Sequence, residues 1–225
     1  MEKADWEKLV DSLVKQGILR TPRVIKAMRT VSRTKFLPLD MQGYASSDTP
    51  LPIGSGQTIS APHMVAIMNE ALDLDVGRKV LEVGAGSGWH AATMAEIVAP
   101  KEAPRSEWGR IYTVEIIQAL AETARKNIMN AGYGDRVTII NADGSKGYSE
   151  KAPYDRIVVT AAAPRVPKPL VDQLKSGGTM LIPVGSAFLF QSLMKLVKQS
   201  DGTIREENLG GVAFVPLTGE YGRGF

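Results

Sequence analysis

Cysteine is absent from this 225-residue chain, which excludes a disulfide framework, a thiolate nucleophile and a thiolate metal site. Histidine is scarce. Only His63 and His90 occur, so a zinc or iron centre would have to rest on carboxylates, and no metal is expected. No apolar run approaches the roughly 18 residues needed to cross a bilayer, which predicts a protein that works in water. The opening residues, MEKADWEKLVDSLV, lack the basic segment and plain apolar core of a signal peptide, so a cytoplasmic location is expected. Blocks of like charge are missing as well. The 27 Lys and Arg exceed the 24 Asp and Glu, for a net charge of +3, but they are interspersed with acids rather than massed, and neither nucleic acid nor membrane is expected as a partner.

What is present describes an ordinary globular chain, 44% hydrophobic and 23% charged, of a length that suits one domain with a sizeable core. Trp6, Leu9, Val10, Leu13, Val14 and Ile18 recur every three or four residues as one helical face. Gly17 and Thr21-Pro22 interrupt and restart that pattern, which predicts two short N-terminal helices. From Phe36 to Gly56 periodicity disappears while Pro38, Gly43, Pro50, Pro52, Gly54 and Gly56 accumulate, predicting a long loop. Ser60 then stands as the expected N-cap of a helix that has Pro62 in its first turn and buries Val65, Met68, Ala71 and Leu72.

Beyond Gly77 strands and helices alternate: strand 79–83, helix 89–98, strand 110–115, helix 118–131, strand 137–141, strand 154–160, helix 167–174 and strand 179–183, with Gly177-Gly178 as the helix stop. Such alternation predicts an α/β fold with a doubly wound, mainly parallel sheet covered on both faces. Segments 192–199 and 204–217 flank Ser200-Asp201-Gly202-Thr203 and predict a C-terminal antiparallel hairpin. Residues 99–109, APKEAPRSEWG, lengthen one helix-to-strand link and read as a surface insertion.

The stretch VLEVGAGSG, residues 80–88, is an apolar strand running through Gly84, Gly86 and Gly88 into a helix. Glycines there let the backbone approach a ligand at the carboxyl end of a strand, although a tight turn alone also wants them. A nicotinamide-dinucleotide fingerprint needs Gly or Ala where Trp89 stands, which argues against NAD. Glu115 ends the next strand, where a carboxylate can accept from ribose hydroxyls or simply be a solvated strand-end acid. Asn141-Ala142-Asp143-Gly144 offers groups suited to an adenine edge, or a plain Asp-Gly turn. The spacing acid-x-Gly-x-Gly-x-Gly, with Glu82 before the loop, resembles the first motif of S-adenosylmethionine (AdoMet) methyltransferases.

GQTISAPHM at 56–64, VLEVGAGSGWHAA at 80–92, NADGSKG at 141–147, PYDRIVVTAAAP at 153–164, GGTMLIPVG at 177–185 and VAFVPLTG at 212–219 together resemble the protein-L-isoaspartate (D-aspartate) O-methyltransferase family. The resemblance implies one methyltransferase domain over residues 1–225. Within it, residues 1–76 would hold N-terminal helices and an active-site loop, 77–185 the AdoMet-binding core, and 186–225 a hairpin and substrate-side segment. It implies AdoMet as cofactor, S-adenosyl-L-homocysteine (AdoHcy) as product, and as partners proteins and peptides carrying L-isoaspartyl residues, whose free α-carboxyl is esterified as the opening step of repair. Ser60 matches the active-site serine of the family. Thr58, Ile59, His63, Glu82, Val83, Gly84, Ala85, Gly86, Ser87, Gly88, Glu115, Asp143, Gly144 and Thr218 match cofactor positions. Ile53, Gly54, Gln57, Gly211, Val212, Ala213 and Phe214 are the expected substrate-side residues, and a monomer is the expected state. The alternative is an AdoMet enzyme acting on a small molecule or RNA, which would call for a dedicated base or for aromatics that hold a flat substrate. Neither stands out here. A carboxylate acceptor suits a chain poor in histidine and free of cysteine, because it is already ionised at neutral pH and needs no general base.

Overall fold

The computed structural model describes residues 2–185 and 190–222. Two amphipathic helices, α1 (Glu2–Lys15) and α2 (Pro22–Thr30), are followed by short 3₁₀ segments at Arg33–Phe36 and Leu39–Tyr44. The segment expected to be a loop then forms a short antiparallel hairpin of β1 (Leu51–Gly54) and β2 (Gln57–Ile59). Its turn places Ser55 and Gly56 at φ +52° and +69°, the paired positive values of a type I′ connection, whose twist matches that of its strands. Pro and Gly in β1 hid that strand from a periodicity reading, since neither is at home in a central strand.

Helix α3 (Pro62–Leu72) leads into the alternating core: β3 (Lys79–Val83), α4 (Trp89–Val98), β4 (Arg110–Glu115), α5 (Gln118–Ala131), β5 (Val137–Asn141), β6 (Tyr154–Val159) and α6 (Lys168–Gln173). Three strands complete the sheet, namely β7 (Leu174–Gly185), β8 (Gln191–Lys198) and β9 (Ile204–Val212). The order is β5-β4-β3-β6-β7-β8-β9, parallel from β5 to β7 and antiparallel from β7 to β9. This is the expected doubly wound α/β architecture. Because β3 is paired with both β4 and β6, the chain reverses its winding there, and a crevice opens at the carboxyl ends of those strands.

Period two along the strands feeds two apolar layers. Val80 and Val158 face the layer that holds α1 to α4, whereas Leu81, Val83, Ile157 and Val159 face the layer that holds Leu170 of α6 and Leu217. The N-terminal helices are fastened to the core by two indoles. Trp6 and Trp89 meet edge to face at 5.9 Å, Trp6 Nε1 donates to Met28 O and Trp89 Nε1 to Val31 O, each at 2.8 Å. No helix among the described residues is long and apolar enough to cross a membrane.

Two further expectations need correction. Gly177 and Gly178 do not stop a helix but lie inside β7, where Tyr154 pairs with Leu174 while Arg156 pairs with Thr179, so the extra residues between them bulge. The last strand ends at Val212 rather than Leu217. Beyond it the chain leaves the sheet edge and crosses to the middle strands, where Ala162 N–H donates to Val215 O at 2.8 Å and Leu217 N–H to Ala162 O at 2.9 Å.

Candidate active site

The crevice is built where three parallel strands end side by side, Val83 between Val114 and Val159. The chain must turn sharply after Val83, and Gly84 does so at φ +99°. A Cβ at Gly84 would stand 2.3 Å from Thr160 Oγ1, which donates to Gly84 O at 2.7 Å and Val83 O at 3.1 Å and so stitches the β3 turn to the end of β6. On the other side Glu115, buried at the end of β4, accepts from Gly86 N–H at 2.9 Å through one oxygen and from Ile117 N–H at 3.0 Å through the other. Its carboxylate retains lone pairs for further donors.

These elements enclose a cavity of about 310 Å³. Its wall carries Thr58, Ile59 and Ser60 from the end of β2, Glu82 to Ser87 from the glycine turn, Glu115, Gly144 and Thr218. Gln57, expected on the substrate side, also lies here. At the floor Glu82 is fully buried, and burial pushes its carboxyl up to about 8 while Thr113, donating at 2.6 Å, pulls the other way. His90 Nδ1 lies 3.4 Å from Glu82 Oε1, and burial lowers the imidazole to about 4. The two shifts describe a neutral acid beside a neutral ring at pH 7, not an ion pair. In that state His90 Nε2–H donates to Asn69 Oδ1, 3.1 Å away, and Asn69 Nδ2 donates to Thr93 at 3.1 Å.

A second concavity of about 550 Å³ opens on the other side of Ser60 and is walled by His63, Gln191 and the crossing segment from Gly211 to Val215. Ser60 and Thr58 belong to both. Ser60 is not the N-cap: that position is Ala61, and the first-turn N–H of His63 is taken at 2.9 Å by Asp48 Oδ1, which also faces His63 Nδ1 at 2.9 Å. The serine is displaced one residue outward because Pro62 begins the helix. Its side chain makes no hydrogen bond among the described residues, so its hydroxyl is uncommitted at the junction of the two hollows.

With Gln57, six expected residues stand apart from their assigned walls. His63 lies in the second hollow, not the first. Gly88 precedes α4 at φ +89° and packs toward Ile128. Asp143 is not in the wall of the cavity and binds the segment around residue 220, accepting from Ser145 N–H and hydroxyl at 2.9 and 2.6 Å and from Glu220 N–H at 2.9 Å. Burial opposes its charge, but those bonds outweigh it and hold the carboxyl below its usual value. Ile53 packs behind the glycine turn, close to the space a Cβ on Gly86 would take, and Gly54 is exposed on the hairpin. Reading the sequence also missed Thr160, Gln191, Asp48 and Arg33, none of which carries a local signal.

The family model of protein-L-isoaspartate(D-aspartate) O-methyltransferase (PCMT) matches residues 4–222 of the chain. The chain belongs to that family. Among the curated members, the protein-L-isoaspartate O-methyltransferase of Hyperthermus butylicus is 59% identical over 215 residues, covering 96% of this chain and 89% of the relative. That of Thermococcus onnurineus is 51% identical over 224 residues, covering 99% and 98%. In three dimensions the chain superposes with a TM-score of 0.83 on a Plasmodium falciparum structure described as a beta-aspartate methyltransferase (PCMT) in complex with S-adenosyl-L-homocysteine. The two are 28% identical, and the match covers 94% of this chain and 97% of that one. Within this isoaspartate methyltransferase frame, residues 99–109 lie at the amino end of β4, opposite the crevice, pinned by Trp108 Nε1 donating to Pro100 O and Ala103 O at 3.0 Å. That segment leaves the pairing of Glu115 with Asn141 undisturbed.

Proposed function

We propose that this chain is an AdoMet-dependent methyltransferase that esterifies the free α-carboxyl of L-isoaspartyl residues in proteins and peptides, so that the ester closes to a succinimide and part of it reopens as normal aspartate. One observation supports it above others, beyond the family itself: the uncommitted hydroxyl of Ser60 stands where two hollows meet. One hollow has the glycine turn and Glu115, which suit a nucleoside, and at its floor a buried carboxyl oxygen of Glu82 with no hydrogen-bond partner among the described residues, His90 Nδ1 standing 3.4 Å off. The other is bordered by backbone, which suits an extended peptide.

The bound cofactor would supply an electrophilic methyl group carried on a sulfonium. The rest is the work of the chain. We assign Gln57, Thr58, Ile59, Glu82 to Ser87, Glu115, Gly144 and Thr218 to the cofactor side, and Gly211 to Phe214 to the peptide side. Ser60 acts as donor to one oxygen of the acceptor carboxylate, leaving the other aimed at the methyl group. No base is required, because the acceptor is ionised at neutral pH, so placement near the roughly 3 to 3.5 Å of an attack geometry is the main task. Phe214 N–H and C=O are both taken by the Gln191 amide, at 2.6 and 2.9 Å, and Val215 O is taken by Ala162. Phe214 and the Val215 carbonyl are therefore not available to bond a peptide backbone.

The whole chain works as one domain in this reading, in keeping with the family match and with Trp6 packed on Trp89. A monomeric state and a cytoplasmic location complete the proposal, the latter in keeping with the cysteine-free composition. The test is transfer of labelled methyl from AdoMet to two peptides that differ only in Asp versus isoAsp. Base-labile label in the isoAsp peptide and almost none in its twin is expected. Equal rates on both would end the repair assignment.

A further inference from the structure

Arg33 is fully buried, yet among the described residues no carboxylate pairs with it. The one acid whose charge it feels, Asp48, is turned to His63. Burial lowers the guanidinium to about 10, which leaves it cationic at neutral pH. Each of its five N–H donors meets a backbone carbonyl. Nε donates to Ala45 O at 3.0 Å, Nη1 to Thr49 O at 2.8 Å and Ser60 O at 3.1 Å, and Nη2 to Ser47 O at 2.5 Å and Tyr44 O at 3.4 Å. The guanidinium carbon lies 5.9 Å from the centre of the Trp89 ring, on the helix that follows the glycine turn.

Burying a cation without a counter-charge is costly, so the arrangement calls for a reason. Four of the carbonyls belong to one irregular stretch, residues 44–49, which makes no ladder bonds of its own. The fifth belongs to Ser60, eleven residues further on and across the β1–β2 hairpin. Only guanidinium offers five donors in one rigid plane; an ammonium has three on one atom. A fixed frame thus joins the 44–49 stretch, the backbone of Ser60 and, through Trp89, the cofactor-side helix.

We propose that Arg33 is a positioning residue for methyl transfer: by holding the carbonyl of Ser60 it fixes where that serine's hydroxyl points. The inference rests on the reading of Ser60 as the donor to the acceptor carboxylate. It requires that Arg33 act through Ser60, so the two effects should not add.

The test is a double-mutant cycle of Arg33→Lys and Ser60→Ala, with kcat and KM for an isoAsp peptide and AdoHcy affinity by calorimetry. In the parent background R33K should lower kcat by about tenfold while KM and AdoHcy affinity move by less than about threefold, as misplacement by a fraction of an ångström would do. In the S60A background R33K should cost less than about twofold. An equal loss in both backgrounds overturns the proposal, since a merely structural role would weaken both alike. A parental rate in S60A alone would instead sink the reading of Ser60.

Should R33K not fold, a backbone change decides the matter. Ala61→lactic acid makes the residue 60 carbonyl an ester, a weaker acceptor, and leaves every side chain in place; the Ala61 N–H that is lost makes no hydrogen bond among the described residues. A kcat lowered about two- to fivefold at unchanged AdoHcy affinity supports the proposal. A parental kcat overturns it.

Discussion

A serine just ahead of a helix ordinarily accepts a bond from a first-turn N–H, and its loss then costs about 1 kcal/mol of stability. Ser60 has no such duty, because Asp48 fills it from fifteen residues away. Ser60→Ala should therefore leave the melting temperature and AdoHcy affinity near those of the parent while turnover on an isoAsp peptide falls by about 10² or more, the scale of a lost positioning donor. Ser60→Thr, which keeps the donor, should retain more activity than Ala. A lower melting point with parental turnover would return Ser60 to a structural role. Glu82 sets a second expectation at this scale. Its folded value, about 8, lies above the ordinary 4.5, so the stability it confers is complete below pH 4.5 and is lost as the pH rises through 8. His90 runs the other way, its contribution present above 6.5 and lost as the pH falls through about 4. Urea midpoints measured from pH 5 to 9 should decline in the parent and stay flatter in Glu82→Gln, which cannot ionise. Parallel curves would show that Glu82 is not the group titrating.

Among the elements, the segment after β9 owes its course to side chains far from it in sequence. Gln191, at the start of β8, spends its whole amide on the backbone of Phe214, and Ala162 pairs on either side of Pro216. Gln191 and Phe214 both line the second hollow beside Ser60. Gln191→Ala should raise KM for the isoAsp peptide by about three- to tenfold, the effect of losing one or two net hydrogen bonds, and leave AdoHcy affinity unchanged. An unchanged KM would mean that the segment keeps its place without those bonds. The elements of the core were the most legible. From Lys79 to Val159 periodicity switches between two and 3.6 within each segment, and strand ends were read to within a residue. The β1–β2 hairpin was not, because its strands are three and four residues long and include Pro52 and Gly54.

On the scale of the whole molecule, the N-terminal helices complete the core and are more than an appendage to it. Trp6 and Trp89 are each nearly fully buried and share a contact across more than eighty residues. Trp6→Ala should lower unfolding free energy by about 3 to 5 kcal/mol, measured from denaturant midpoints. A loss under about 1 kcal/mol would show that the helices pack only loosely on α4.

The glycine turn, the acid near each strand end and the alternation of strands and helices were determined by the sequence itself, since each depends on φ preferences and on which faces of short segments are apolar, properties that neighbours in the chain settle; the order of the strands in the sheet was not. The role of Trp89 was half visible. Its bulk argued against a nicotinamide site, but its bond to Val31 and its place over Arg33 did not show. Asp143 illustrates the limit: its position at the end of β5 suggested a cofactor edge, whereas a tail returning from residue 220 claims its carboxylate. Arg33, Asp48, Gln191 and Thr160 act through partners eleven to seventy-seven residues away. Only the folded chain decides such roles, because a buried donor bonds whichever acceptor the packing brings within about 3 Å, and separation along the sequence does not enter that distance.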